Sequence, residues 1–117
     1  MDTLSLEYDI ARERIRDLND EARRHLTDGK VVFTRGIRTL PEDDQAAILD
    51  IVCNYEDFSF ENDPFEEHAF GAFTYEGHDI EWKIDCYELG DEFVGSPDPS
   101  DPTVTSRVLT IMLAGER

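Results

Sequence analysis

Apolar residues recur early in the chain at steps of four, three, four and four, at Ala11, Ile15, Leu18, Ala22 and Leu26, with Ile10 beside them. That is the spacing of one helical face, and it predicts an amphipathic helix over residues 4–26. Thr3 or Ser5 can cap its start, and Arg23, Arg24 and His25 suit the negative pole of the helix dipole before Gly29 stops it. Its polar face holds i, i+4 neighbours such as Asp20 and Arg24, the mark of a solvated, ion-paired surface. Lys30-Val31-Val32-Phe33-Thr34 is a β-branched run behind an Asp28-Gly29 turn signal and predicts a short buried strand. Pro41 followed by Glu42, Asp43 and Asp44 reads as a helix start, and Ala47, Ile48, Ile51, Val52 and Tyr55 continue it to give a second helix over 41–54.

From Phe70 the period changes to two. Phe70, Ala72 and Thr74 alternate with Gly71, Phe73 and Tyr75, and Ile80, Trp82, Ile84 and Cys86 alternate with Asp79, Glu81, Lys83 and Asp85. With Gly77 between the two runs, this predicts a hairpin of strands at about 70–75 and 79–87, charged on one face of the second strand. Trp82 falls on the apolar face and is expected in the core. After the proline-spaced loop Gly95 to Pro102, Asp101-Pro102 resembles a cap and first turn, and Val104, Val108, Ile111, Met112 and Leu113 predict a third helix over 102–114. The β-branched content of Val-Leu-Thr-Ile-Met-Leu makes a strand the alternative there. The expected fold is one α+β domain over 1–117, a small antiparallel sheet with a central hairpin packed by two or three helices.

Charge changes the picture more than composition does. The 117 residues carry 28 acids against 11 bases, a net charge of -17. The first forty residues balance, whereas Pro41 to Asp101 holds nineteen acids and a single base, Lys83, a net of -18. At its centre Glu56 to Glu67 is half acidic and has no base. Such a chain repels nucleic-acid phosphates and anionic membranes, so direct binding to either is not expected, and self-repulsion predicts stability that rises with salt. Hydrophobic residues at 39% suffice for a core, so the charge does not imply disorder. No run approaches the 18 or so apolar residues that span a bilayer, and the N-terminus lacks a basic segment followed by an apolar one, so a cytoplasmic location is expected. Cys53 and Cys86 lack CxxC spacing and sit among apolar residues, which favours free thiols.

Several separated words stand in order: Asn62-Asp63-Pro64-Phe65-Glu66-Glu67-His68, Trp82-Lys83-Ile84-Asp85, Gly95-Ser96, Asp98-Pro99, Asp101-Pro102, Val104-Thr105 and Arg107 to Ala114. Together, over roughly residues 15–117, they resemble an uncharacterised domain-of-unknown-function family of short proteins common on plasmids and other mobile elements of alphaproteobacteria. Where that family usually has Asp after the His and an aromatic after the Asp of the Trp-Lys-Ile-Asp word, this chain has Ala69 and Cys86. The resemblance implies a genomic setting in which small acidic proteins often inhibit host defence systems.

Three readings of the acidic block compete. It can be a solvated surface on a domain with a structural or regulatory role. It can be a non-enzymatic binding module that offers Glu56, Asp57, Glu61, Asp63, Glu66, Glu67, Asp79, Glu81 and Asp85 to the basic groove of a nucleic-acid-binding protein or complex, mimicking nucleic acid, with Phe58, Phe60 and Phe65 as apolar anchors. An inhibitor of a DNA-handling or defence complex, of anti-CRISPR or anti-restriction type, would work this way. Third, the chain can be a metal-dependent enzyme using Asp63, Glu66, Glu67 and His68, with Asp85 as a further ligand, although adjacent Glu67 and His68 point apart and no spaced second His or Cys completes a site. The second reading is the expectation carried forward, with no catalytic residue, metal or cofactor, and with a homodimer open. His68 then serves as a hydrogen-bonded residue beside an Asp63-Pro64 turn, and Lys83 pairs locally with its strand neighbours.

Overall fold

The computed structural model describes residues 3–26 and 30–116. The expected caps Thr3 and Ser5 and the Asp28-Gly29 turn lie outside the side chains and residues described. Helix α1 spans Thr3–His25, β1 Val31–Phe33, α2 Arg35–Arg38 and α3 Glu42–Cys53; β2 (Phe70–Tyr75), β3 (His78–Glu88), β4 (Asp91–Gly95) and β5 (Thr105–Leu113) follow. The five strands form one mixed sheet in the order β1-β5-β3-β2, with β4 also pairing β3. The fold is α+β. Because β5 occupies one edge of β3 from Ile80 to Glu88, β2 and β4 share the other edge, β2 along the first half and β4 at the end.

The hairpin forms as its pattern predicts. Tyr75 pairs with His78 across a two-residue turn in which Glu76 and Gly77 both have positive φ, 45° and 83°, the twist that suits two antiparallel strands. Glycine adopts this freely, and Glu76 is carried by it. Ile80, Trp82 and Ile84 then point to the helical side and are buried. α3 lays Ile48 and Val52, one turn apart, against them, and Asn54 closes the helix by donating to the Asp50 carbonyl. The core is completed by Ile37, Tyr55, Leu109 and Ile111.

Two expectations are corrected. Residues 102–114 do not form a helix; Thr105–Leu113 is the central strand, antiparallel to β3 and parallel to β1, whose pairing of Val31 with Leu109 makes the sheet mixed rather than antiparallel. This strand buries residues on both of its faces, here Leu109 and Ile111 towards the helices and Val108 and Met112 away from them, so it reads as a continuous apolar run. The Asp101-Pro102 signal is real but local. Asp101 Oδ1 accepts from the Thr103 amide and hydroxyl, at 2.9 and 2.6 Å, which makes a turn where the same chemistry could have capped a helix. β1 is only half-buried, with Val32 exposed.

The molecule is longer than a compact chain of this size. Its extents are 50 × 32 × 24 Å and its radius of gyration is 15.0 Å, against about 13 Å expected. α1 alone accounts for about 35 Å at 1.5 Å per residue.

Candidate functional site

Between Tyr55 and Phe70 the chain makes no regular element, and several of its backbone groups are satisfied within the loop, by side chains and by one another. Asn62 Oδ1 accepts from the Ser59 amide at 2.9 Å, Asn62 Nδ2 donates to the Asp57 carbonyl at 2.9 Å, and the Asp63 amide donates to the Ser59 carbonyl at 2.8 Å. Asp63 is buried, and its Oδ1 accepts from the amides of Glu67 and His68 at 3.1 and 3.2 Å. Glu66 and His68 both hold positive φ, 56° and 54°. For a residue with a Cβ this conformation costs about 1–2 kcal/mol, and the paired amide bonds to Asp63 are what hold it.

Beneath the loop lies a polar layer supplied mainly by α1. His68 stacks face to face on Phe58, ring centroids 3.8 Å apart; its Nδ1 meets Asp20 Oδ1 at 2.9 Å and its Nε2 lies 3.6 Å from Asp63 Oδ2. Arg23 is fully buried. It donates to the Val52 and Cys53 carbonyls at the end of α3 and to Asp20 at 3.0 Å, and its guanidinium lies 5.2 Å from the Trp82 ring and 5.4 Å from Phe58. Burial lowers the Arg23 pKa and the bond to Asp20 opposes that shift. Asn19, also buried, donates to the Glu67 carbonyl at 2.9 Å and accepts from Arg107 Nε at 2.8 Å, and Arg107 donates onward to the Pro99 carbonyl. Burial raises the Glu67 carboxyl, the charge of Asp63 adds to the shift, and Arg107 and Arg12 oppose it.

The nine nominated acids are therefore not one face. Asp63 is turned inward with both oxygens engaged, so its place among partner-binding carboxylates is corrected: it shapes the loop. Glu67 is half-buried. Glu56, Asp57, Glu61 and Glu66 are exposed on the helical side, Glu56 near Arg24 at 3.4 Å and Glu66 at 4.0 Å from Arg12. Glu81 and Asp85 alternate with Trp82 and Ile84 and so lie on the opposite side of the sheet, half-buried, with Asp79 exposed at the end of that row. Lys83 pairs with Asp85 at 3.0 Å, as its spacing suggested. Of the three aromatics between the acids, Phe58 belongs to the polar layer, while Phe60 and Phe65 are 80% and 66% exposed.

Sequence reasoning missed Asn19, Asp20, Arg23 and Arg107. Asn19, Ala22, Arg23 and Leu26 share one helical face, a signal that polar residues enter the interior there. It also missed a second acidic group, at the far end of the hairpin. The Tyr75 hydroxyl donates to Asp44 at 2.9 Å, and this bond, burial and the charges of Asp44, Glu76 and Asp43 raise the Tyr75 pKa.

No group of three or more His, Cys, Asp or Glu among the described residues is placed to hold a metal ion. The depression over His68, lined by Arg16, Phe58, Ser59, Phe60, Asp63 and Glu66, measures about 260 Å³. Ligand clefts run to roughly 300–1,000 Å³. No described helix is long and apolar enough to cross a membrane. The family model for a protein of unknown function, DUF3768, matches residues 33–116. The chain belongs to that family. The matched part begins at Phe33, the last residue of β1, takes in α2, α3, the acidic loop and all later strands, and leaves α1 with Asp20 and Arg23 outside it. No curated protein and no solved structure matches the chain.

Proposed function

We propose that this member of the DUF3768 family is a non-enzymatic acidic module that binds the basic groove of a nucleic-acid-binding protein, mimicking nucleic acid and so inhibiting a DNA-handling or defence complex. The observation that carries this reading is the loop 56–67. It sets exposed carboxylates, Asp57, Glu61 and Glu66, among exposed rings, Phe60 and Phe65, on a backbone fixed by Asn62 and Asp63. Charged groups steer association and fix its register, and aromatic side chains supply the desolvated anchors.

Part of the basic charge is already engaged within the fold. Arg23 and Arg107 are buried, and Arg12, Lys30 and Lys83 sit in ion pairs with Asp9, Glu92 and Asp85. Among the described residues Asp57, Glu61, Glu76 and Asp79 have no such pair, so their field reaches solvent. Duplex DNA carries one charge per ~1.7 Å of axis, so a net of eighteen charges matches roughly 30 Å of duplex. The 32 Å middle axis of the molecule is of that size. His68 supports the non-enzymatic side of the reading, because both ring nitrogens already face carboxylates.

The test is capture from host lysate on immobilised protein at low and at high salt, with duplex DNA as competitor. A basic nucleic-acid-binding protein that is released by salt, displaced by duplex and lost with Asp57→Asn, Glu61→Gln and Glu66→Gln together is the expected result. Recovery of no basic protein, or capture indifferent to salt and to duplex, would count against it.

A further inference from the structure

The β3–β4 hairpin carries a feature that neither the core nor the acidic loop explains. Glu88 pairs with Asp91, and the neighbouring residue on β3, Tyr87, pairs with Gly95. One step on β3 thus corresponds to four on β4, so Glu92, Phe93 and Val94 lie opposite no residue and are thrown out of the ladder as a bulge. Bulges of this kind re-aim side chains and blunt an edge strand. Here the result is a phenylalanine that is 100% exposed, between Leu89 at 60% and Val94 at 46%.

The bulge is fixed in place. Asp91 Oδ1 accepts from the Phe93 amide at 3.0 Å, the Ser96 amide donates to the Cys86 carbonyl at 3.1 Å, and Glu92 is held by Lys30. With the Phe93 amide satisfied, the edge offers a side chain and not a free donor for strand addition. A wholly exposed, anchored aromatic is the kind of residue that interfaces use as a hot spot.

The charges around it indicate what covers it. Glu88 and Asp91 are exposed beside Phe93, and the contact between Lys30 and Glu92 is an example, within the chain, of an ammonium seated against this hairpin. A second copy fits poorly, since a contact between two such tips would set Glu88 and Asp91 against each other in molecules that each carry -17. We infer that the hairpin tip is a second docking element, in which Phe93 enters an apolar pocket rimmed by Lys and Arg on a protein partner. This inference rests on the function proposed above and adds a point of attachment apart from loop 56–67.

Two synthetic peptides of equal length and charge make the test, one alternating lysine with leucine and one with lysine and glycine, titrated at low salt into isotopically labelled full chain and read by amide shifts. The Lys-Leu peptide is expected to shift the amides of Glu88 to Gly95 and to bind about tenfold more tightly than the Lys-Gly peptide, as one buried anchor contributes. Phe93→Ser should remove that tenfold while the shifts of β5 stay in place, and Phe60→Ser should leave the hairpin response intact. Equal affinity of the two peptides, or Lys-Leu binding untouched by Phe93→Ser, overturns the inference and leaves the wider reading standing. If neither peptide binds better than a neutral one, both fall.

Discussion

Replacing Arg23 by Met tests the polar layer most directly. The change keeps an unbranched apolar stem, shortens the side chain and removes its charge from a site with no solvent exposure. Three acceptors lose a donor: the Val52 and Cys53 carbonyls that end α3, and Asp20 Oδ1. Breaking a buried ion pair by deleting one partner costs about 3–5 kcal/mol. Asp20 keeps His68 at 2.9 Å and some contact with water, so the low end, about 3 kcal/mol, applies. For a domain of this size that lowers Tm by roughly 10–15 °C. Urea unfolding followed by the fluorescence of Trp82, the only tryptophan, measures it beside the altered group. Arg23→Met with Asp20→Asn should recover part of the loss, because the double change no longer strands a carboxylate. A single variant within about 0.5 kcal/mol of the parent would refute the idea that Arg23 joins α1 to α3, since surface substitutions fall in that range.

Gly71→Ala should cost about 2–3 kcal/mol, because its Cβ would stand 2.6 Å from Trp82 Cε2 and 2.7 Å from Tyr55 Cε1, both in core rings; unchanged urea unfolding would refute that packing. Glu67→Gln should raise Tm at pH 7, with the gain disappearing below about pH 4. The sign follows from the raised folded pKa: the carboxyl's contribution is present below its unfolded value and lost as pH rises through the folded one, so the ionised form is the costly one at neutrality. Melts of both proteins across pH 4 to 7 check it, and a lower Tm for Gln at pH 7 would refute it. Glu116 behaves oppositely, because bonds from Thr34 and the Leu113 and Gly36 amides depress it, and the contribution is lost as pH falls through the folded value. Glu116→Gln should accordingly speed hydrogen exchange at Leu113 and Gly36 at neutral pH. Tm should rise as salt is raised from 50 to 500 mM, which shortens the Debye length about threefold, and a flat profile would mean that the net charge of -17 adds no self-repulsion.

The parts of the fold legible in the sequence are those whose cause is local. The hairpin was readable because a two-residue period on each side of Glu76-Gly77 fixes both faces and the register, and α3 because acids, Pro41 and the Ile48/Val52 spacing lie within one segment. For β5 the helix reading arises because Val104, Val108 and Ile111 happen to fall at helical steps, while the β-branched run that offers a strand as the alternative is what the structure bears out. What makes it a strand is its position between β3 and β1, partners that lie some twenty to eighty residues away in the chain. The same holds for the site. The Asp63 turn was readable from Asn62-Asp63-Pro64, but the residue that seats His68, Asp20, lies 48 positions earlier, and Arg23 looked like an ordinary basic residue at a helix end. The bulge at Glu92 to Val94 is a matter of register alone, and no composition signal marks it.

The layer beneath the acidic loop bears on how its charges could act. A flexible acidic segment would lose conformational freedom on meeting a partner, at roughly 1–2 kcal/mol for each backbone residue fixed. In loop 56–67 much of that ordering is already done on folding: Asn62 ties Asp57 to Ser59, Asp63 holds two amides, and His68 is seated between Asp20, Asp63 and Phe58. The left-handed conformations of Glu66 and His68 are sustained by the same contacts, so their cost falls on folding stability and not on binding. The residues that fix the loop include acids, Asp20 and Asp63, held by contacts with His68 and the buried Arg23 and so withdrawn from the outer surface. The acids left outside keep their spacing. A regular array of charges is what a nucleic-acid backbone offers a basic groove, and a disordered tail of equal charge does not.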